Sequence, residues 1–214
     1  MSPPERRYGR WIGALGLVIL ALITLNTVLT TPNGATGLKA GVELPPFAVP
    51  LVTGSQQGAA NVATHADDGT AGTRPACSVR GTQILNACQL YEGGPLVLAI
   101  FVYGSGCQQI LDDFQKLMPA FPGVRFAAVS IKGDRLELRK LVHRQGLSFP
   151  VGIDEEGTLA ALYKVASCPQ VTFAYPGGVV QSKALLVRPP LAVLRARVSA
   201  LVAGARARGW RSPS

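Results

Sequence analysis

Four cysteines, Cys77, Cys88, Cys107 and Cys168, are the side chains best suited to nucleophilic chemistry, and Cys107 is the best placed of them. It closes the segment GSGC, which breaks a continuous apolar run, PLVLAIFVY (95–103), and it opens CQQILDDFQKLM (107–118). In that second segment Ile110, Leu111, Phe114, Leu117 and Met118 recur at helical spacing and give one apolar face. A cysteine in the first turn of a helix meets unpaired N–H groups and the positive end of the helix dipole, and both favour a thiolate. Gly104 and Gly106 free the approaching backbone and leave the sulfur accessible. The competing reading is a packed, inert thiol, because free cysteine behaves as a small hydrophobe.

Cys77 and Cys88 bracket ACSVRGTQILNAC. A bridge between them closes a short loop and contributes about 3 kcal/mol in the chain-entropy relation, so this pair reads as a structural staple. The rival is that one of the two resolves Cys107. Four cysteines allow several pairings, and spacing does not choose among them. No C-x-x-C occurs, and His65 and His143 are remote in sequence from the cysteines, so no metal is expected. Gly104-Ser105-Gly106 lacks the third glycine of a dinucleotide fingerprint, and no cofactor is expected either. Asp154, Glu155 and Glu156 read as an acidic helix start that suits the dipole, with no acid–base role needed to explain them.

The chain has 214 residues, a net charge of +9 and only 15% charged residues. Its arginines are scattered singly with few aromatic neighbours, which argues against nucleic acid as a partner. Trp11 to Leu29 carries no charge and, as a helix, spans roughly 28 Å, close to the hydrocarbon thickness of a bilayer. Arg6, Arg7 and Arg10 precede it, which predicts a cytoplasmic N-terminus and an extracytoplasmic remainder. A cleaved signal peptide is the alternative, but its apolar region is usually shorter and ends in a small-x-small site. The expected organisation is a cytoplasmic N-terminus (1–10), a single-pass anchor in the cell membrane (11–29), a tether (30–41), one domain (42–208) with a loop-rich insertion at 53–94, and a tail (209–214). An oxidising compartment favours disulfides among the cysteines.

The elements that must position Cys107 follow from pattern. The run from Pro95 reads as a buried central strand, and VRFAAVSI (124–131) as a second. Asp134 caps a helix running through Gln145. A short extended piece (149–153) and a short helix (156–164) follow. QVTFAY (170–175) and VVQSK (179–183) flank Pro176-Gly177-Gly178 and read as a hairpin. A helix over 189–207 closes the chain. A strand–helix–strand start forces parallel neighbours, and the hairpin adds antiparallel strands, so the expected fold is α/β with a mixed sheet between helices.

At three places the sequence resembles the thioredoxin-like superfamily, in particular its membrane-tethered extracytoplasmic redoxin and TlpA-type branch: LVLAIFVYGSGCQQI, FPVGIDEEGTLAALYKV and CPQVTFAYPGGVV. The resemblance implies a thioredoxin-like sheet over about residues 42–203, Cys107 at the family's nucleophile position, and Pro169 as its cis-proline. The departures are specific. Gly106 stands where the family usually has Trp, Ile110 replaces the second cysteine of the C-x-x-C loop, and the pattern P-x-x-x-T-x-x-C is absent before Cys107. In the resembled fold the residue before the cis-proline faces the nucleophile. The resemblance therefore implies that Cys168 can come within disulfide distance of Cys107, with Gly106 and Pro169 lining the substrate groove. The expected activity is thiol–disulfide exchange or redoxin chemistry, with protein thiols, disulfides or peroxide as partners. The alternative keeps the fold as a redox-inactive module that binds a peptide or protein in that groove.

Overall fold

The computed structural model describes residues 12, 14–22, 36–56 and 75–212. The expected cytoplasmic N-terminus, residues 11, 13 and 23–29 of the expected anchor, residues 30–35 of the tether, residues 57–74 of the insertion (His65 among them) and 213–214 lie outside the described residues. The chain divides into two units, Met1–Ala35 and Thr36–Ser214. In the first unit residues 12 and 14–22 are helical, with Leu15, Leu17, Val18, Ile19 and Leu22 exposed. Among the described residues no helix is long and apolar enough to cross a membrane.

The second unit is built on the apolar run that the sequence marks. Strand β3, Leu96–Phe101, is buried along its whole length. Alternation splits its side chains between the two faces of the sheet: Val97, Ala99 and Phe101 enter one hydrophobic cluster, and Leu96, Leu98 and Ile100 the other. β4 (Arg125–Ile131) lies parallel to β3 with Leu96 opposite Arg125 and Phe101 opposite Ser130. β5 (Val151–Asp154) continues the parallel order beside β4. β6 (Gln170–Ala174) runs antiparallel on the other side of β3, with Ile100 opposite Gln170. The sheet order is β5-β4-β3-β6, mixed as expected.

Each face of this sheet is covered. The first carries helices α2 (Ile110–Leu117), α3 (Arg135–Gln145) and α5 (Leu191–Ala207), through Phe114, Leu138, Leu141, Leu194, Val198 and Leu201. The second carries α4 (Thr158–Leu162) and a two-stranded antiparallel sheet, β1 (Ala48–Pro50) with β2 (Ile84–Asn86). A bridge from Leu51 to Gly152 fastens the small sheet to β5. Asp134 caps α3 by accepting the Glu137 N–H at 2.9 Å, and Gly146, at φ 56°, ends the helix in the left-handed conformation.

Two expectations change in detail. The insertion holds ordered structure: β2 leads straight into a short helix α1, Ala87–Glu92. The second arm of the expected hairpin is no strand. Only isolated bridges, Ala174 to Val180 and Val171 to Leu185, lie beside β6. The chain after Gly178 lies against β6, but the register shifts by two residues between the Ala174–Val180 and Val171–Leu185 bridges, so no continuous ladder forms.

Candidate active site

β3 ends at Phe101, and Val102 to Gly106 form the loop to the next helix. Gly104 and Gly106 take φ of 84° and 83°, which residues with a Cβ rarely adopt. Gly106 then caps a 3-10 turn, Cys107–Gln109, that runs into α2. Cys107 is thus the first residue of a 3-10 turn and not of the α-helix itself. The Gln109 N–H of that turn is already directed to the Gly106 carbonyl at 3.4 Å.

Cys168 arrives from the opposite direction. Its peptide bond to Pro169 is cis, and Gln170 begins β6 opposite Ile100. Continuing that antiparallel register brings Cys168 alongside Val102, whose N–H points at Cys168 Sγ from 3.2 Å. The two loops so placed hold Cys107 and Cys168 in a disulfide with Cα atoms 5.6 Å apart, within the range such bridges require. Both residues are half-buried and pack, with Tyr103, against the cluster of α2, α3 and α5. Ser105 lies between the glycines, donating to the Val102 carbonyl at 2.7 Å and standing 3.5 Å from Cys168 Sγ. In the sequence Ser105 shows only as a small hydroxyl between two glycines next to a candidate nucleophile. The Val102 amide leaves no signal there, since every residue but proline carries one.

The helix carrying this turn is anchored from α2's buried side. Arg188 forks onto Asp113, Nε to Oδ2 at 2.7 Å and Nη2 to Oδ1 at 2.9 Å, and gives Nη1 to Gln109 Oε1 at 2.7 Å. The Asp113 hydrogen bonds hold the Arg188 pKa above its ordinary value, against the opposing effect of desolvation. Charged-group pairing here positions Gln109, two residues from Cys107. This fork has no local signature in the sequence, because Asp113 and Arg188 lie 75 positions apart.

The other two cysteines form a separate bridge, Cys77–Cys88, with Cα atoms 5.3 Å apart. It ties a 3-10 turn, Ala76–Ser78, to α1. Asn86 locks the same corner: its Nδ2 donates to the Ala76 and Val79 carbonyls, at 2.7 and 2.8 Å, while its Oδ1 caps α1 at Gln89 N. Arg80 and Glu92 close the loop with a forked ion pair. Their hydrogen bonds raise the guanidinium pKa and lower that of the carboxyl. Among the described residues no cluster of three His, Cys, Asp or Glu side chains could hold a metal ion. His143 is exposed on α3. Asp154 accepts the Gly157 and Leu159 N–H groups at 3.1 and 2.7 Å and so starts α4, with no site role.

A mixed sheet with a cysteine at the C-terminal end of its central strand and a cis-proline facing it defines a thioredoxin-like protein. The chain belongs to the AhpC/TSA family, which it matches over residues 78–188, just over half its length. No curated protein matches it in sequence. Among solved structures, it is similar to a candidate thiol:disulfide interchange protein DsbE from Chlorobium tepidum, at 17% identity and a TM-score of 0.56 over 78% of this chain and 98% of that one. The thioredoxin domain of a thiol-disulfide oxidoreductase from Bacteroides vulgatus gives 13% identity and a TM-score of 0.56 over 77% and 99%. Peroxidoxin BcpB from Mycobacterium tuberculosis gives 18% identity and a TM-score of 0.53 over 79% and 97%. At these identities the likeness bears on the fold, and it bears out the resemblance to thioredoxin-like redoxins.

Proposed function

We propose that the protein is a membrane-anchored extracytoplasmic thiol–disulfide oxidoreductase that works through the Cys107–Cys168 bridge. The observation that carries this reading is the bridge itself, which joins the two loops at the C-terminal end of β3. It supplies the two-sulfur centre that Ile110 denies to the Cys107 loop. A substrate thiolate attacks Cys107 Sγ. The bond to Cys168 breaks, its electron pair goes to Cys168 Sγ, and a mixed disulfide joins substrate and Cys107. A second thiolate of the substrate attacks the first substrate sulfur and releases Cys107. The substrate leaves as a disulfide, having given up two electrons and two protons, and the protein is left as a dithiol. The reverse sequence reduces a substrate disulfide. Gly106 and Pro169 flank the groove in which these steps occur.

The anchored, outward-facing arrangement rests on the uncharged stretch from Trp11, the arginines before it, and the exposed apolar side chains of residues 12 and 14–22. The test of the chemistry is trapping. Cys168→Ser is expected to accumulate mixed disulfides on Cys107 when offered a disulfide-containing protein, the Cys107 thiolate attacking one substrate sulfur and the other leaving as a thiolate, and Cys107→Ser to trap none there. Equal exchange rates in wild type and Cys107→Ser would sink the reading. Turnover of hydrogen peroxide by the same variants separates peroxide from protein thiols as the partner.

A further inference from the structure

The two sulfurs of the bridge are not equivalent. Cys168 Sγ receives the Val102 N–H at 3.2 Å and has the Ser105 hydroxyl at 3.5 Å. Among the described residues no hydrogen bond reaches Cys107 Sγ, and the Gln109 N–H of its turn is taken by the Gly106 carbonyl. The Val102 amide is fixed by the backbone and cannot turn away. The Ser105 hydroxyl is different in kind: it has one proton and two lone pairs. With the bridge closed, its proton goes to the Val102 carbonyl at 2.7 Å. Facing a Cys168 thiol, it can accept the S–H without moving. Facing a Cys168 thiolate, it can rotate and give its proton to the sulfur. One hydroxyl thus serves both protonation states.

We propose that Cys168 is the thiolate of the reduced pair and the leaving sulfur when a substrate attacks Cys107, and that Ser105 is the positioning residue that adapts to its charge. The assignment rests on the exchange reading above and adds a direction to it. A leaving sulfur that is better stabilised as an anion leaves faster, and stabilising the reduced form makes the bridge a stronger oxidant. The pair therefore favours accepting electrons from substrate thiols over donating them. Arg188, the cation that reaches the Cys107 turn through Gln109, is engaged by Asp113, and Tyr103 packs against the same cluster as the two cysteines. Lys132 and Asp134 follow the C-terminal end of β4, and Glu155 and Glu156 that of β5, where the Asp154 carboxylate is engaged by the Gly157 and Leu159 N–H groups; Lys164 precedes β6 in sequence.

The test reads thiolate formation at each cysteine directly. The full-length protein is reduced and alkylated with iodoacetamide from about pH 5 to about pH 10, the range that brackets a free thiol near 8.5, and the labelled peptides are quantified by mass spectrometry. Because neighbouring thiols titrate as a pair, Cys168 is also read alone in Cys107→Ser. Cys168 is expected to titrate below Cys107 and below the free-thiol value. Ser105→Ala is expected to move the Cys168 midpoint up by about half to one pH unit, the scale of one ordinary hydrogen bond's net contribution, and to leave Cys107 in place. Ser105→Thr, which keeps the hydroxyl, restores it. The equilibrium constant for oxidation of glutathione falls by up to about tenfold in Ser105→Ala, about 30 mV for a two-electron couple. A Cys168 midpoint above that of Cys107 in the wild type overturns the proposal. So does a midpoint unmoved by Ser105→Ala, an equal shift at both cysteines, or failure of Ser105→Thr to restore it. The titration needs no substrate, so it fails or succeeds independently of the trapping assay that tests the exchange reading.

Discussion

At the scale of single residues, burial decides which groups answer to pH. Tyr163 is fully buried, and its hydroxyl donates to the Pro45 carbonyl at 2.8 Å. Desolvation pushes its pKa well above the ordinary tyrosine value. A raised folded-state pKa means that the unfolded chain loses this proton first. Its stabilising share is therefore whole below about pH 10 and is lost as pH climbs past that value. Tyr91, raised chiefly by desolvation too, shares in the alkaline loss. Tyr163→Phe is expected to cost about 1 kcal/mol near neutrality, because Pro45 loses its donor, and to flatten the alkaline decline. Urea unfolding at a series of pH values checks both. An alkaline decline as steep as the wild type's would assign that loss elsewhere.

At the scale of elements, close approach of backbones sets what is tolerated. Gly152 on β5 faces the small sheet, and a Cβ there would lie 2.5 Å from Val49 Cγ2 and 2.9 Å from Leu85 Cδ2. Both neighbours are fully enclosed, so neither can yield cheaply. Gly152→Ala is expected to destabilise the protein by about 1–3 kcal/mol through overpacking, read as a lowered midpoint in chemical denaturation. The elements differ in how plainly the sequence announces them. Leu96–Phe101 is legible because a strand buried on both faces must be apolar throughout, and α3 because Asp134 and Gly146 mark its ends. β2 and α1 are not, since three residues carry too little pattern and their order depends on a disulfide and on Asn86. The arm after Gly178 misleads for another reason: a Gly-rich turn promises a hairpin, and the two-residue shift in pairing beyond it has no local sequence signature. At the site, the position of Cys107 could be read from strand and helix patterns. Its partnership with Cys168 could be reached only through the family resemblance, because register between β3 and β6 brings together residues far apart in sequence.

At the scale of the molecule, the two bridges divide the labour. Cys77–Cys88 closes a short loop in the insertion and joins no element of the groove. Replacing both cysteines by serine is expected to lower stability by about 3 kcal/mol, seen as a lower melting temperature. Exchange at Cys107 should continue at close to the wild-type rate when assayed below that melting range. Loss of exchange in a variant that still shows the wild-type circular dichroism spectrum would mean that the insertion takes part in the chemistry.

The Cys107–Cys168 bridge spans 61 positions and encloses α2, β4, α3, β5 and α4. In a loop motif with adjacent cysteines, opening the bridge would touch only a few residues. Here it releases a covalent belt around half of the central sheet, a constraint of about 4 kcal/mol on the unfolded chain. Reducing the bridge therefore also loosens the protein. The oxidised form is the sturdier one, and a molecule waiting for its electrons to be taken away is the one most open to heat and proteases.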